Sequence, residues 1–224
     1  MEPTMLQDNQ YPEPILNIED IWFKIGAEKE NRELIPILAI FGSIDFWHPD
    51  SESLCLSIGQ ELAKLLPSLI VVTGANAVVH DKIAHSFNDE VTSSHPNQTA
   101  NIYHLAPWGY QCDFNHGQKL CVGRDMAERR ALLARCATVA ISIEGGPGTV
   151  DEMTKAVEAN VPLIPLGRSG GASSGMFNAP SCHGCRPEFI CQEDWDLCWN
   201  KDADVEDSAK AVARIVQSIV ASSI

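Results

Sequence analysis

Residues 137–152 read as a strand, a turn and the start of a helix, and this stretch constrains the fold more than any other. Ala137 to Ile143 is an apolar, β-branched run bounded by glycine, a pattern that suits a strand buried on both faces. Glu144-Gly145-Gly146-Pro147-Gly148-Thr149-Val150-Asp151-Glu152 follows. Gly145 and Gly146 permit backbone angles that a Cβ would forbid and let a ligand come close to the main chain. Pro147 is favoured at a first helical position. The free N–H groups of that turn, at the positive end of the helix dipole, would seat a phosphate. Gly145, Gly146, Gly148 and Thr149 are therefore candidate phosphate contacts. An ordinary strand-to-helix turn, with Thr149, Asp151 and Glu152 complementing the helix N-terminus, satisfies the same residues, because short glycine motifs arise by chance.

The rest of the chain repeats the strand-then-helix pattern. Leu34 to Phe41 is an apolar run closed by Gly42-Ser43, and Ser51 to Leu66 carries apolar residues at helical spacing and stops at Pro67. Leu69 to Thr73 is a second strand, Ala77 to Phe87 a second helix, Ile102 to Ala106 a third strand and Asp125 to Cys136 a further helix. Residues 89–98 and 111–122 read as irregular. Pro162 to Leu166 adds a fifth strand, and Asp207 to Ser222 a closing helix with one apolar stripe. Alternation of this kind predicts an α/β protein, a Rossmann-like three-layer sandwich with a mostly parallel sheet. Residues 1–33 form an N-terminal extension in which Ile21, Trp22 and Phe23 dock on the body as a strand or a short helix. Residues 34–224 form one domain with a cysteine-containing insert at about 176–202.

Ligands of open α/β sheets bind outside the carboxyl ends of the strands, which makes Gly42 and Ser43 candidate phosphate or ribose contacts. The loop Ile44 to Pro49 either covers the ligand or is an ordinary hydrophobic loop. Gly167 to Gly175 is rich in glycine and serine, with Arg168 among them, and would wrap a phosphate or serve as a flexible linker.

Residues 123–152, GRDMAERRALLARCATVAISIEGGPGTVDE, resemble the SLOG superfamily, whose LONELY GUY (LOG) members are cytokinin-activating phosphoribohydrolases. Those enzymes carry Met-x-x-Arg-Lys on a helix and then Pro-Gly-Gly-x-Gly-Thr-x-x-Glu. The counterparts here are Met126, Arg129 and Arg130, then Gly145, Gly146, Gly148, Thr149 and Glu152. Glu144 stands where those enzymes have proline, Arg130 where they have lysine, and the earlier glycine-rich loop keeps Gly74 alone. The Glu-Gly-Gly-Pro-Gly-Thr run, with Leu105 to Gly109, is also similar to the cytosolic N-terminal region of melastatin-type TRP channels.

The resemblance implies hydrolysis of the N-glycosidic bond of a nucleoside 5′-monophosphate, releasing a base and ribose 5-phosphate. Arg129 and Glu152 would be the catalytic residues, with Arg129 placing the phosphate or the leaving base. Asn76 would add a contact to the nucleotide, and Arg130 would either hold a second ligand oxygen or pair with Glu128 or another surface carboxylate. No cofactor and no metal are required, and a homodimer or higher homo-oligomer is implied. The alternative is a module that binds an ADP-ribose-like or NAD-like nucleotide without turning it over.

A net charge of −14, from 30 acidic and 16 basic residues, repels polyanions and argues against polymeric nucleic acid as a partner. No apolar run approaches the roughly 20 residues that span a bilayer, and the acidic N-terminus is no secretory signal, so a cytoplasmic protein without a membrane partner is expected. Its eight cysteines are then expected to be mostly reduced. Cys182-His183-Gly184-Cys185 has a spacing that suits zinc, but Cys191 and Cys198 are separated by six residues, which favours redox-active or buried thiols instead.

Overall fold

The computed structural model describes residues 12–27, 35–75, 78–110 and 114–222. Six strands form one sheet: β1 (Ile37–Gly42), β2 (Ile70–Thr73), β3 (Asn101–Ala106), β4 (Gln118–Cys121), β5 (Val139–Ile143) and β6 (Leu163–Leu166). Their order across the sheet is β4-β3-β2-β1-β5-β6, and every pairing is parallel. Seven helices accompany them among the described residues: α1 (Ile18–Lys24), α2 (Ser51–Leu65), α3 (Val79–Ser94), α4 (Met126–Cys136), α5 (Pro147–Glu158), α6 (Gln192–Leu197) and α7 (Val205–Ser222).

The alternation of side chains along β1 divides the core between the two faces. Leu38 and Ile40 pack with α2, α3 and α7, whereas Ile37, Ala39 and Phe41 pack with α1, α4 and α5. Both faces of the central strands are therefore covered, which is why they read as continuous apolar runs. The structure is thus the expected three-layer α/β fold, with a sheet that is wholly parallel.

Two segments differ from the sequence reading. β4 lies within the stretch expected to be irregular, because Gln118 and Lys119 are exposed at the sheet edge and leave no apolar run to read. The second helix continues through residues 89–94, whose polar side chains form its solvent face while Ile83, Phe87 and Val91 hold the buried stripe. The N-terminal segment takes the helical of the two forms considered. Asn17 caps α1 by accepting the N–H of Asp20 at 2.9 Å, and Trp22 donates from Nε1 to the Cys136 carbonyl at 3.1 Å.

The chain runs from β1 outward to β4 and then returns to place β5 on the other side of β1. This reversal makes the carboxyl ends of β1 and β5 the topological switch point, where crevices form in such sheets.

Candidate functional site

A cleft of about 330 Å³ opens at that switch point. Gly42, Ser43, Ile44 and Trp47 line one side, and Gly146, Pro147, Gly148, Thr149, Glu152 and Arg130 line the other. Gly145 has φ +96°, and a Cβ there would collide with the Thr149 side chain. Only glycine allows the chain to turn so tightly from β5 into α5. Pro147 opens α5 as expected. The N–H groups of Gly148 and Thr149 find no acceptor among the described residues, and they point out of the helix start. Arg130 reaches the same place from α4: a Cβ on Gly148 would lie 3.0 Å from its Nη2. Its one ion pair among the described residues, with Asp151 at 3.6 Å, is loose and partly exposed. Two backbone donors and a guanidinium thus converge on the helix terminus, the requirement for holding a phosphate.

The adjacent arginines have opposite fates. Consecutive helical residues project about 100° apart, so Arg130 faces the cleft while Arg129 points inward. Arg129 is fully buried and donates from Nη1 to Oε1 of Glu152 at 2.5 Å. Gly74, the glycine kept from the family's earlier loop, makes room for it, since a Cβ there would occupy the position of Nη1. Glu152 is 2% exposed yet contributes to the cleft wall, and its Oε2 has no partner among the described residues. Burial raises the Glu152 pKa, with the Arg129 charge and hydrogen bond acting in opposition. Behind Arg129 lies His80, fully buried, with both ring nitrogens unpartnered among the described residues. Burial, then the nearby Arg129 charge, lower its pKa to about 3.

Several other candidate contacts have prior engagements. The Ser43 hydroxyl donates to Glu144 at 2.6 Å, and the Thr149 hydroxyl donates to the Gly42 carbonyl at 3.1 Å. Arg168 does not reach the cleft. Its buried guanidinium donates to the Ser208 hydroxyl and to the Asp204 carbonyl at 3.2 Å, with Asp50 at 3.9 Å. The glycine- and serine-rich loop that carries it is built into the fold. It forms 3₁₀ turns whose N–H groups at Ala172 and Ser173 donate to the carbonyls of Gly145 and Glu144, at 2.7 and 3.0 Å. It is a buttress beneath the turn from β5 into α5. Asn76 lies outside the described residues. Trp108, in the run similar to the channel region, follows β3, two strands away from β1, and does not line the cleft.

The residue that sequence reasoning missed is Glu144. It is fully buried, adopts φ +54°, and its carboxylate accepts four hydrogen bonds from one loop. The donors are the Ser43 hydroxyl at 2.6 Å, the Ser51 hydroxyl at 2.6 Å, and the N–H groups of Trp47 and His48, both at 2.9 Å. A left-handed non-glycine residue and a buried carboxylate are both unfavourable in isolation. Here they hold the 43–51 loop and set the Trp47 ring at the cleft mouth, half exposed and 3.8 Å from where a Gly146 Cβ would stand. The signal available in the sequence was the replacement of the expected proline by glutamate.

Fold and site together define a Rossmann-like α/β protein with a cleft at the N-terminus of a helix, where backbone N–H groups and a guanidinium converge. Residues 35–184 match the model of the SLOG cluster4 family, and the chain belongs to that family. Among solved structures, it is similar to the crystal structure of TM1055, 22% identical with a TM-score of 0.51 over 62% of this chain and 78% of that one. It is also similar to the molybdenum cofactor carrier protein of Chlamydomonas reinhardtii, 17% identical with a TM-score of 0.51 over 82% of this chain and 99% of that one. No curated protein matches the chain. No helix among the described residues is long and apolar enough to cross a membrane.

Proposed function

We propose that the cleft binds a nucleoside 5′-monophosphate and hydrolyses its N-glycosidic bond, with water as the second reactant and a free base and ribose 5-phosphate as products. The observation that carries this reading is the place of Glu152. It follows Gly148 by four residues on α5, so it shares the cleft face about 6 Å further along the helix axis. A phosphate held by the Gly148 and Thr149 N–H groups and by Arg130 would extend its ribose toward that carboxylate. As the base departs, positive charge develops on the ribose, and an anion set beside it stabilises the transition state. Arg129 is then a positioning residue: its hydrogen bond orients the Glu152 carboxylate, and its charge opposes the burial that raises the Glu152 pKa.

A second reading, binding without turnover, is favoured by the same ion pair. Oε1 of Glu152 is committed to Arg129, which leaves one carboxylate oxygen for any chemistry. A carrier, as the Chlamydomonas molybdenum cofactor protein is named to be, would use the seat in this way.

The test is to incubate the protein with a panel of nucleoside monophosphates, NAD and ADP-ribose and to follow released base by chromatography, beside Glu152→Gln. Base release that the substitution abolishes supports the hydrolase. A nucleotide that raises the melting temperature of both proteins without base release establishes the binding module.

A further inference from the structure

The Cys182-His183-Gly184-Cys185 turn lies outside the cleft and has no part in the proposed chemistry. We propose that Cys182 and Cys185 form a reversible dithiol–disulfide site that exchanges with low-molecular-weight disulfides, with Cys182 as the attacking thiol and Cys185 as the resolving one.

The geometry is that of a closed turn. The Cys185 N–H donates to the Cys182 carbonyl at 3.2 Å, an i to i+3 bond. Turns closed in this way bring their first and last Cα atoms within about 7 Å, which overlaps the range a disulfide spans. The Cys182 sulfur lies over Gly184, 3.7 Å from where a Cβ would stand, so it sits on the inside of the turn. Both thiols are exposed, whereas Cys55, Cys136 and Cys198 are buried.

The turn is also anchored on every side, so the two sulfurs stay together without a bond between them. Trp195, buried beneath it, donates from Nε1 to the His183 carbonyl at 2.7 Å. The His183 ring pairs with Asp196 at 2.7 Å and leans on Trp199 with ring centroids 5.5 Å apart. On the N-terminal side the Ser181 hydroxyl donates to the Ser173 carbonyl at 2.5 Å, which ties the turn to the buttress beneath the start of α5.

Polarity divides the labour between the two thiols. The Cys185 side chain and the N–H groups of Gly184 and Cys185 favour the Cys182 thiolate and lower its pKa, whereas the neighbouring Cys182 raises that of Cys185. The thiolate is the reactive form, so the first attack falls to Cys182. Its sulfur bonds to one sulfur of the incoming disulfide and expels the other half as a thiolate. Cys185 loses its proton to solvent and attacks the Cys182 sulfur, expelling the second half. The protein dithiol has then lost two electrons and two protons, and the reagent has become two thiols.

The test uses the full chain and oxidised glutathione, with intact mass and peptide mapping as the readouts. Expected for the native protein is the loss of two hydrogen atoms and a linked 182–185 peptide, both reversed by dithiothreitol. Cys185→Ser should retain one glutathione on Cys182, whereas Cys182→Ser should be modified at least ten-fold more slowly at this turn. Cys191→Ser, which removes a further exposed thiol, should behave as the native protein does. A stable glutathione adduct on native Cys182 without the internal bond would overturn the proposal. So would a link from either cysteine to Cys191, or equal reactivity of Cys182→Ser and Cys185→Ser. The exposure of both side chains means that none of these variants disturbs a packed core.

Discussion

Glu144 offers the most discriminating perturbation, because its carboxylate and its backbone make separate demands. The four hydrogen bonds it accepts are to a charged group, each with a net value of about 1.5–3 kcal/mol, or about 6–12 kcal/mol in sum. Several kcal/mol of desolvation opposes them, since the carboxylate is fully buried. The balance leaves about 2–5 kcal/mol that Glu144→Ala should remove, a fall in melting temperature on the order of 10 °C for a chain of this size. Glu144→Gln keeps the acceptor for Ser51, Trp47 and His48, lets the Ser43 hydroxyl rotate to accept, and no longer buries a charge. It should lie within about 1–2 kcal/mol of the native protein. Glu144→Gly loses the same tether as alanine but relieves the left-handed backbone at φ +54°, and should therefore exceed the alanine variant by about 1 kcal/mol. Thermal unfolding of the series gives the order Gln, then Gly, then Ala. In parallel, calorimetric titration with a nucleoside monophosphate should show affinity kept by Gln and weakened about ten-fold in Gly and Ala, because the released 43–51 loop must be reordered on binding. An alanine variant that melts with the native protein, or one that outlasts glycine, would refute the assignment of Glu144 as the clamp of this loop.

Four further outcomes follow from the site. Trp47→Ala should weaken a nucleoside monophosphate by roughly ten-fold, the effect of one stacked base, while leaving ribose 5-phosphate unchanged; equal losses for both ligands would deny the ring a stacking role. Arg130→Ala should weaken both ligands and reduce the salt dependence of binding. Arg129→Met should act chiefly on stability, by about 3–5 kcal/mol, since it strands the buried Glu152 carboxylate. For His80 the folded pKa of about 3 lies below the unfolded value of about 6.5, so its contribution is complete at neutral pH and is lost as pH falls through that window, at roughly 1.4 kcal/mol per unit. His80→Phe should therefore flatten the acid limb of a stability–pH profile measured by urea unfolding, and an unchanged limb would assign the acid sensitivity to other groups.

What could be read from the sequence depended on whether a residue's role was set by its neighbours in the chain or by residues far from it. The five apolar strands and the Pro147 helix start are local patterns, and both were legible. β4 was hidden because an edge strand with two exposed residues has no apolar signature. The site shows the same division more sharply. Helical geometry states that Arg129 and Arg130 diverge by about 100°, but only the tertiary position of Glu152 and the absence of a side chain at Gly74 decide which guanidinium is buried. The hydroxyls of Ser43 and Thr149 have the right chemistry for a phosphate, and partners at Glu144 and Gly42, about a hundred residues away in the chain, have already engaged them. The departures from the LOG pattern then take on a physical meaning. Proline at 144 could not have supplied an acceptor, so the glutamate marks a loop tied down by hydrogen bonds, with an aromatic ring brought to the cleft mouth. Gly74 is kept because Arg129 needs the space, whether or not the turn around it touches a ligand. On the proposed reading, a chain with the Arg129–Glu152 pair and this different loop opposite keeps the charge arrangement where a ribose would lie and changes the surface that a base would meet. Its selectivity is therefore to be sought at Trp47 and Ile44, and any bond cleavage at Glu152.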